Sequence, residues 1–162
     1  MSPADADALL SLEDDFNLCD GVFCAIADVT DNRIDAANEP EPCRTVSLIW
    51  QAGGIIGNGG FQYLFEGSFN GDPGYSITAA AYDTIGAIKS HSAFQSALSL
   101  FSYGALPGNV EERLNVYQSH PKATRDRIDR EFWDGDEAVK QMLSQFIRAN
   151  KKRFLDFLTS TR

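Results

Sequence analysis

Residues 136–158 read DEAVKQMLSQFIRANKKRFLDFL, and the spacing of apolar side chains in that run decides the fold. Val139, Met142, Leu143, Phe146, Ile147, Phe154, Leu155 and Leu158 recur at steps of three and four. On a helix of 3.6 residues per turn such steps gather into one stripe. The pattern predicts an amphipathic helix over Asp136–Leu158, with Asp134 or Asp136 capping its first-turn amides. Lys151, Lys152 and Arg153 fall late in it, where cations meet the negative end of the helix dipole.

The same period continues upstream. Pro121 opens a helix, since its missing amide hydrogen costs nothing in a first turn, and Ile128 and Phe132 point that helix inward. Its Asp126–Arg130 pair has the acid four residues before the base, the favoured order. Asn109 followed by Glu112 is a near capping box for a helix to Ser119. His91 to Tyr103 puts Phe94, Ala97, Leu98 and Phe101 on one face and is closed by Pro107-Gly108. Gly71-Asp72-Pro73-Gly74 is a turn, followed by an alanine-rich helix with Ile77, Ala80, Ala81, Ile85 and Ile88. Val46 to Ile56 opens a glycine-rich region as a helix. In the first quarter, Leu9, Leu10, Leu12 and Phe16, then Val22, Phe23, Ile26 and Ala27, give two short helices, and Asn38 to Pro42 is a linker. No run alternates with period two for long enough to argue a sheet, and there are no internal repeats. The predicted fold is all-α: a single compact multi-helix domain with an acidic N-terminal helical segment. Residues 1–45 form that segment and residues 46–162 the helical domain, one globular unit overall.

The chain has 162 residues, 43% of them apolar and 23% charged, the balance of one globular domain able to bury a core without disulfides or metal. Its formal charge of −9 argues against direct nucleic-acid binding, which needs a basic footprint. That charge is unevenly placed. Residues 1–45 hold 11 of the 23 acids and 2 of the 14 bases, while the remainder is balanced at 12 of each. Three cysteines leave at least one thiol unpaired, so no secreted disulfide framework is expected. The two histidines match no zinc spacing, and neither a metal nor a cofactor is expected. The N-terminus lacks the basic region of a signal peptide. Residues 45–65 carry no charge, but five glycines, Ser47, Gln51, Asn58 and Gln62 make the stretch too polar and broken to cross a membrane. It reads as buried helices joined by a glycine turn, in a soluble, cytoplasmic protein.

Three constellations are candidates for function. In Asn58-Gly59-Gly60-Phe61-Gln62, adjacent glycines permit positive φ, so one helix ends and another begins in a tight corner. The corner is either a cradle for an anion or peptide, made of amides at the next helix's start, or a buried junction where side chains do not fit. The acids of residues 126–137 alternate with Arg125, Arg127, Arg130 and Lys140, as on a solvated helix face. Asp129, beside the inward-facing Ile128 and Phe132, is the exception and is placed to cap a nearby helix or corner. No G-x-S-x-G nucleophile elbow occurs, and an enzyme is not expected. In the acidic quarter, Asp28, Asp31 and Asp35 step by three and four and would align on a continuous helix, with Asp7, Asp14 and Asp15 as a second row. Neighbouring carboxylates on such a face lie roughly 5–6 Å apart, comparable to phosphates along a nucleic-acid strand. The alternative is an acidic face that keeps the protein in solution.

From Val46 onward the sequence resembles the bacterial DNA-mimic protein family, whose shared helical domain is otherwise of unknown function. The resemblance rests on Asn58-Gly59-Gly60-Phe61-Gln62 with Phe65, on Ala79-Ala80-Ala81 leading to Ile85-Gly86-Ala87, and on Ile128-Asp129 with Phe132 before the final amphipathic helix. Tyr63 departs from the family pattern, which has a second polar residue there. The resemblance implies an all-helical, dimeric protein that acts by binding and presents carboxylates to the DNA-binding face of a regulator. Because the family-like region is neutral here, Asp5 through Glu41 would have to carry that role. The partner is then a basic DNA-binding protein. The alternative is a small-ligand or peptide-binding domain that uses the Gly59-Gly60 corner.

Overall fold

The structure, a computed structural model, describes residues 1–102 and 105–160. Among these residues the chain forms nine helices: α1 (Pro3–Leu9), α2 (Asp15–Val29), α3 (Cys43–Phe65), α4 (Ser76–Thr84), α5 (Ile88–Leu98), α6 (Val110–Ser119), α7 (Lys122–Trp133), α8 (Asp136–Ala149) and α9 (Lys151–Thr159). One isolated bridge between Phe69 and Asp72 is the sole β pairing among them. The fold is all-α. No helix within this range is long and apolar enough to cross a membrane.

Helix α3 is the axis of the molecule, flanked by α2, α4, α6, α7 and α8. Its sequence, uncharged from Thr45 onward, explains the position, because a helix apolar on most sides must be covered on most sides. Beyond a corner at Gly59-Gly60, its last turns sit among aromatic rings. Phe61 meets Phe94 and Phe132 edge-on at 5.1 and 5.5 Å, and Phe65 meets Phe101 and Tyr117 at 5.0 and 5.1 Å. Such pairs contribute about 0.5–1.5 kcal/mol each beyond area burial. Buried Arg113 of α6 ties the end of α3 in place, donating to the carbonyls of Phe65, Gly67 and Pro107.

The acidic quarter is built into this body. Ala6, Leu10, Leu18, Cys19, Val22 and Ile26 are buried, with α1 against α9 and α2 against α3 and α8. Ser2 and Asp14 cap α1 and α2 through the amides of Asp5 and Asn17. Phe16 is exposed, so it is not part of the inward stripe that its spacing suggests.

Several boundaries differ from the sequence pattern. The run 136–158 is interrupted at Asn150, whose backbone (φ −106°, ψ 16°) leaves the helical region while its side chain donates to the Phe146 carbonyl. Gly135, not a carboxylate, occupies the cap of α8, and Asp136 instead pairs with Lys140 at 2.7 Å. The alanine-rich helix stops at Thr84, because Gly86 (φ +78°) turns the chain, and Ile88 opens α5 on the exposed side. That helix ends at Leu98; the predicted end at Tyr103 lies outside the described residues.

Candidate functional site

The six acids Asp7, Asp14, Asp15, Asp28, Asp31 and Asp35 do not form one helical stripe. Helix α2 ends at Val29, and Asp31 and Asn32 both adopt left-handed conformations (φ 52° and 57°). Asp35 closes the next turn by accepting from the Ala37 amide and the Asn38 side chain at 3.0 and 2.9 Å. Those bonds, Asn38 first, hold its carboxyl below the usual carboxylate range. Two members are paired with bases of the same chain at the surface: Asp7 with Lys151 at 2.9 Å and Asp15 with Arg148 at 2.8 Å. The Ser144 hydroxyl and then Arg148 hold Asp15 low. Asp14 is a cap, and Asp28 and Asp31 point to solvent. Among the described residues, Asp14, Asp28, Asp31 and Asp35 have no cation within salt-bridge distance.

The glycine corner is filled. Gly60 (φ +68°, ψ −170°) occupies a backbone region that only glycine enters without strain. A Cβ there would lie 2.4 Å from a carboxylate oxygen of Asp129. That carboxylate, reaching from α7, accepts the Phe61 amide at 2.9 Å and so occupies the anion position at the new helix's start. Burial pushes the Asp129 carboxyl up and the Phe61 amide pulls it down. Phe61 is fully buried, Gln62 half-buried, and the Asn58 side chain donates to the Gly54 carbonyl. Corner and Asp129, 68 residues apart in the chain, therefore form one junction in which the protein's own carboxylate holds the position an anion would take.

An open cleft lies instead one to two turns earlier on α3. It measures about 490 Å³ and is bounded by α2, α3, α7 and α8. Gly53, Gly54 and Gly57 form its floor, Phe16, Trp50 and Trp133 its aromatic lining, and Asp20, Asp136 and Lys140 bring the charges. The Trp50 indole N–H donates to Asp20 at 3.1 Å and that of Trp133 to the Ile56 carbonyl at 3.0 Å. Sequence reasoning missed this cleft because its residues are spread over four helices; the signal present was the i, i+1, i+4 glycine spacing. A second, shallow hollow of about 280 Å³ collects Asp31, Arg33, Asp35 and Glu39. Glu39, in the predicted linker, is 7% exposed. Ser47 donates to its Oε1, while its buried Oε2 has no hydrogen-bond partner. Burial pushes its carboxyl up to about 7. Cys19 and Cys43 are buried free thiols, raised to about 12 by burial, and Cys24 is exposed. Among the described residues, no group of three or more His, Cys, Asp or Glu is placed to hold a metal ion.

Against known proteins, residues 37–150 match the family model described as DMP19-like protein. No curated protein and no solved structure matches.

Proposed function

Because the chain belongs to the DMP19-like protein family, we propose that it is a non-enzymatic protein-binding domain that sets carboxylates against the basic, DNA-contacting surface of a DNA-binding protein. The observation that carries this reading is the end of α2 and the turn after it. Asp28, Asp31 and Asp35 stand there without an internal counter-ion among the described residues, on a segment anchored to the core by Val22, Ala25, Ile26 and Ala36. Asp28 lies in the last turn of α2, which contains no base. The negative end of that helix dipole therefore adds to the carboxylate field. Arg33 is the one base between Asp28 and Glu41. The mechanism is charge substitution, in which each carboxylate pairs with a Lys or Arg that otherwise contacts phosphate.

Competition between this protein and labelled duplex DNA for a basic DNA-binding protein tests the reading. The triple variant Asp28→Asn, Asp31→Asn, Asp35→Asn keeps the acceptor that closes the turn at Ala37 and removes three charges. It should compete at least tenfold more weakly, and wild-type competition should fade as salt shortens the screening length to about 10 Å at 0.1 M and below. Equal competition by variant and wild type contradicts the proposal.

A further inference from the structure

The cleft floored by Gly53, Gly54 and Gly57 has no part in the charge-substitution reading, and its chemistry points to a different occupant. We propose that it binds a small organic cation, an alkylammonium group carried on an apolar body. The volume of about 490 Å³ lies within the range of small-molecule sites.

Its floor is open at positions where the fold makes no demand for openness. A Cβ at Gly54 or Gly57 would meet nothing within 4 Å, and one at Gly53 would meet only the Tyr82 hydroxyl at 3.7 Å. Glycine within a helix costs about 0.5–1 kcal/mol relative to alanine. The internal packing of α3 gives no return for that cost at Gly54 and Gly57, whereas cleft depth does.

Its lining selects for positive charge. Both indole N–H groups are engaged, by Asp20 and by the Ile56 carbonyl, so the tryptophans offer ring carbon rather than donors. The Phe16 ring lies 5.5 Å from that of Trp50, and Phe16 and Trp133 are 53% and 44% exposed, an uncovered aromatic surface. Aromatic faces carry negative charge density and attract ammonium groups. Of the charged lining residues, Asp136 is neutralised by Lys140 at 2.7 Å. Half-buried Asp20 has one oxygen on the Trp50 indole and no cation partner among the described residues. The cleft thus presents a carboxylate lacking its counter-ion beside π-surface, over a floor that admits an apolar body.

Trp50 and Trp133 are the only tryptophans in the chain, so emission excited beyond the tyrosine absorption band reports this cleft. The full-length protein is titrated with choline and, separately, with 3,3-dimethylbutan-1-ol, which has the same shape without the charge, at fixed ionic strength. Choline should give a saturable change at least tenfold tighter than the alcohol. Asp20→Asn, which keeps the acceptor for Trp50, should weaken choline about tenfold and leave the alcohol unchanged. Gly57→Leu projects into the open space and should abolish both responses with helicity and melting intact; Gly54→Leu gives the same result by an independent route. Absence of a saturable response, equal binding of the two probes, or undiminished binding in both leucine variants overturns the proposal. So does ligand-free emission that varies with protein concentration, which would place a second copy over the cleft. None of these measurements involves a DNA-binding protein, so this proposal and the preceding one fail separately.

Discussion

Two carboxylates show how burial gives a side chain a task that its residue type does not announce. Asp129 satisfies the Phe61 amide at 2.9 Å in a half-buried site. Asp129→Ala leaves that amide without its acceptor and should cost about 1–3 kcal/mol in urea unfolding, whereas Asp129→Asn keeps an acceptor and should cost clearly less. Equal losses would mean that charge, not the hydrogen bond, matters at this junction. Glu39 carries the opposite liability. Its carboxyl titrates near 7 in the fold against an ordinary value of 4.5. Between those values the folded chain holds a proton that the unfolded chain has lost, so raising the pH through this window removes stability. Glu39→Gln cannot ionise, so its stability relative to wild type should rise by about 3 kcal/mol between pH 4.5 and pH 8. Thermal melts of both proteins across that range check the sign, and parallel curves would refute it.

The helices hold one another through bases near the C-terminus. Arg148 of α8 donates to Asp15, to Ser144 and to the carbonyls of Leu12 and Glu13, while Lys151 of α9 reaches Asp7 and Ser11. The link between α1 and α2 is therefore fastened by a guanidinium fork whose planar geometry lysine does not reproduce. Arg148→Ala should destabilise by about 1 kcal/mol, a modest figure because the site is partly solvated. Amide exchange should quicken at residues 11–17 while that of α5 stays unchanged. A uniform acceleration would show that Arg148 supports the whole fold instead of this link.

Taken whole, the molecule joins an acid-rich first quarter of the chain to an electrically balanced body, and the joint is hydrophobic. Leu10, Leu18, Cys19, Val22 and Ile26 are each at most 2% exposed. Fully burying a side chain of this size contributes about 1.5–3 kcal/mol, and a domain's net stability is about 5–15 kcal/mol. A chain beginning at Pro42 should therefore lose cooperative unfolding and expose the faces of α3 and α8 that α2 covers. Calorimetry on that fragment checks this, and a sharp transition near the full-length value would contradict it.

Period determined the all-α class and the inward faces of α7 and α8, and residue type determined the glycine corner, because helical amphipathicity and positive-φ glycine are local properties written in neighbouring residues. Local reading also overran itself: it joined α8 to α9 across Asn150, and it laid Asp28, Asp31 and Asp35 on a helix that ends at Val29. Spacing counts registers, yet it does not see a left-handed residue at Asp31 or a carboxylate that closes a turn. Asp129 was legible as a cap from its place beside Ile128 and Phe132, but tertiary structure alone decided that it accepts from the Phe61 amide, that Asp7 and Asp15 are neutralised by Lys151 and Arg148, and that Trp50 and Trp133 border one cleft. Each of these joins residues distant in the chain, and which charge meets which partner is fixed by how the hydrophobic stripes pack.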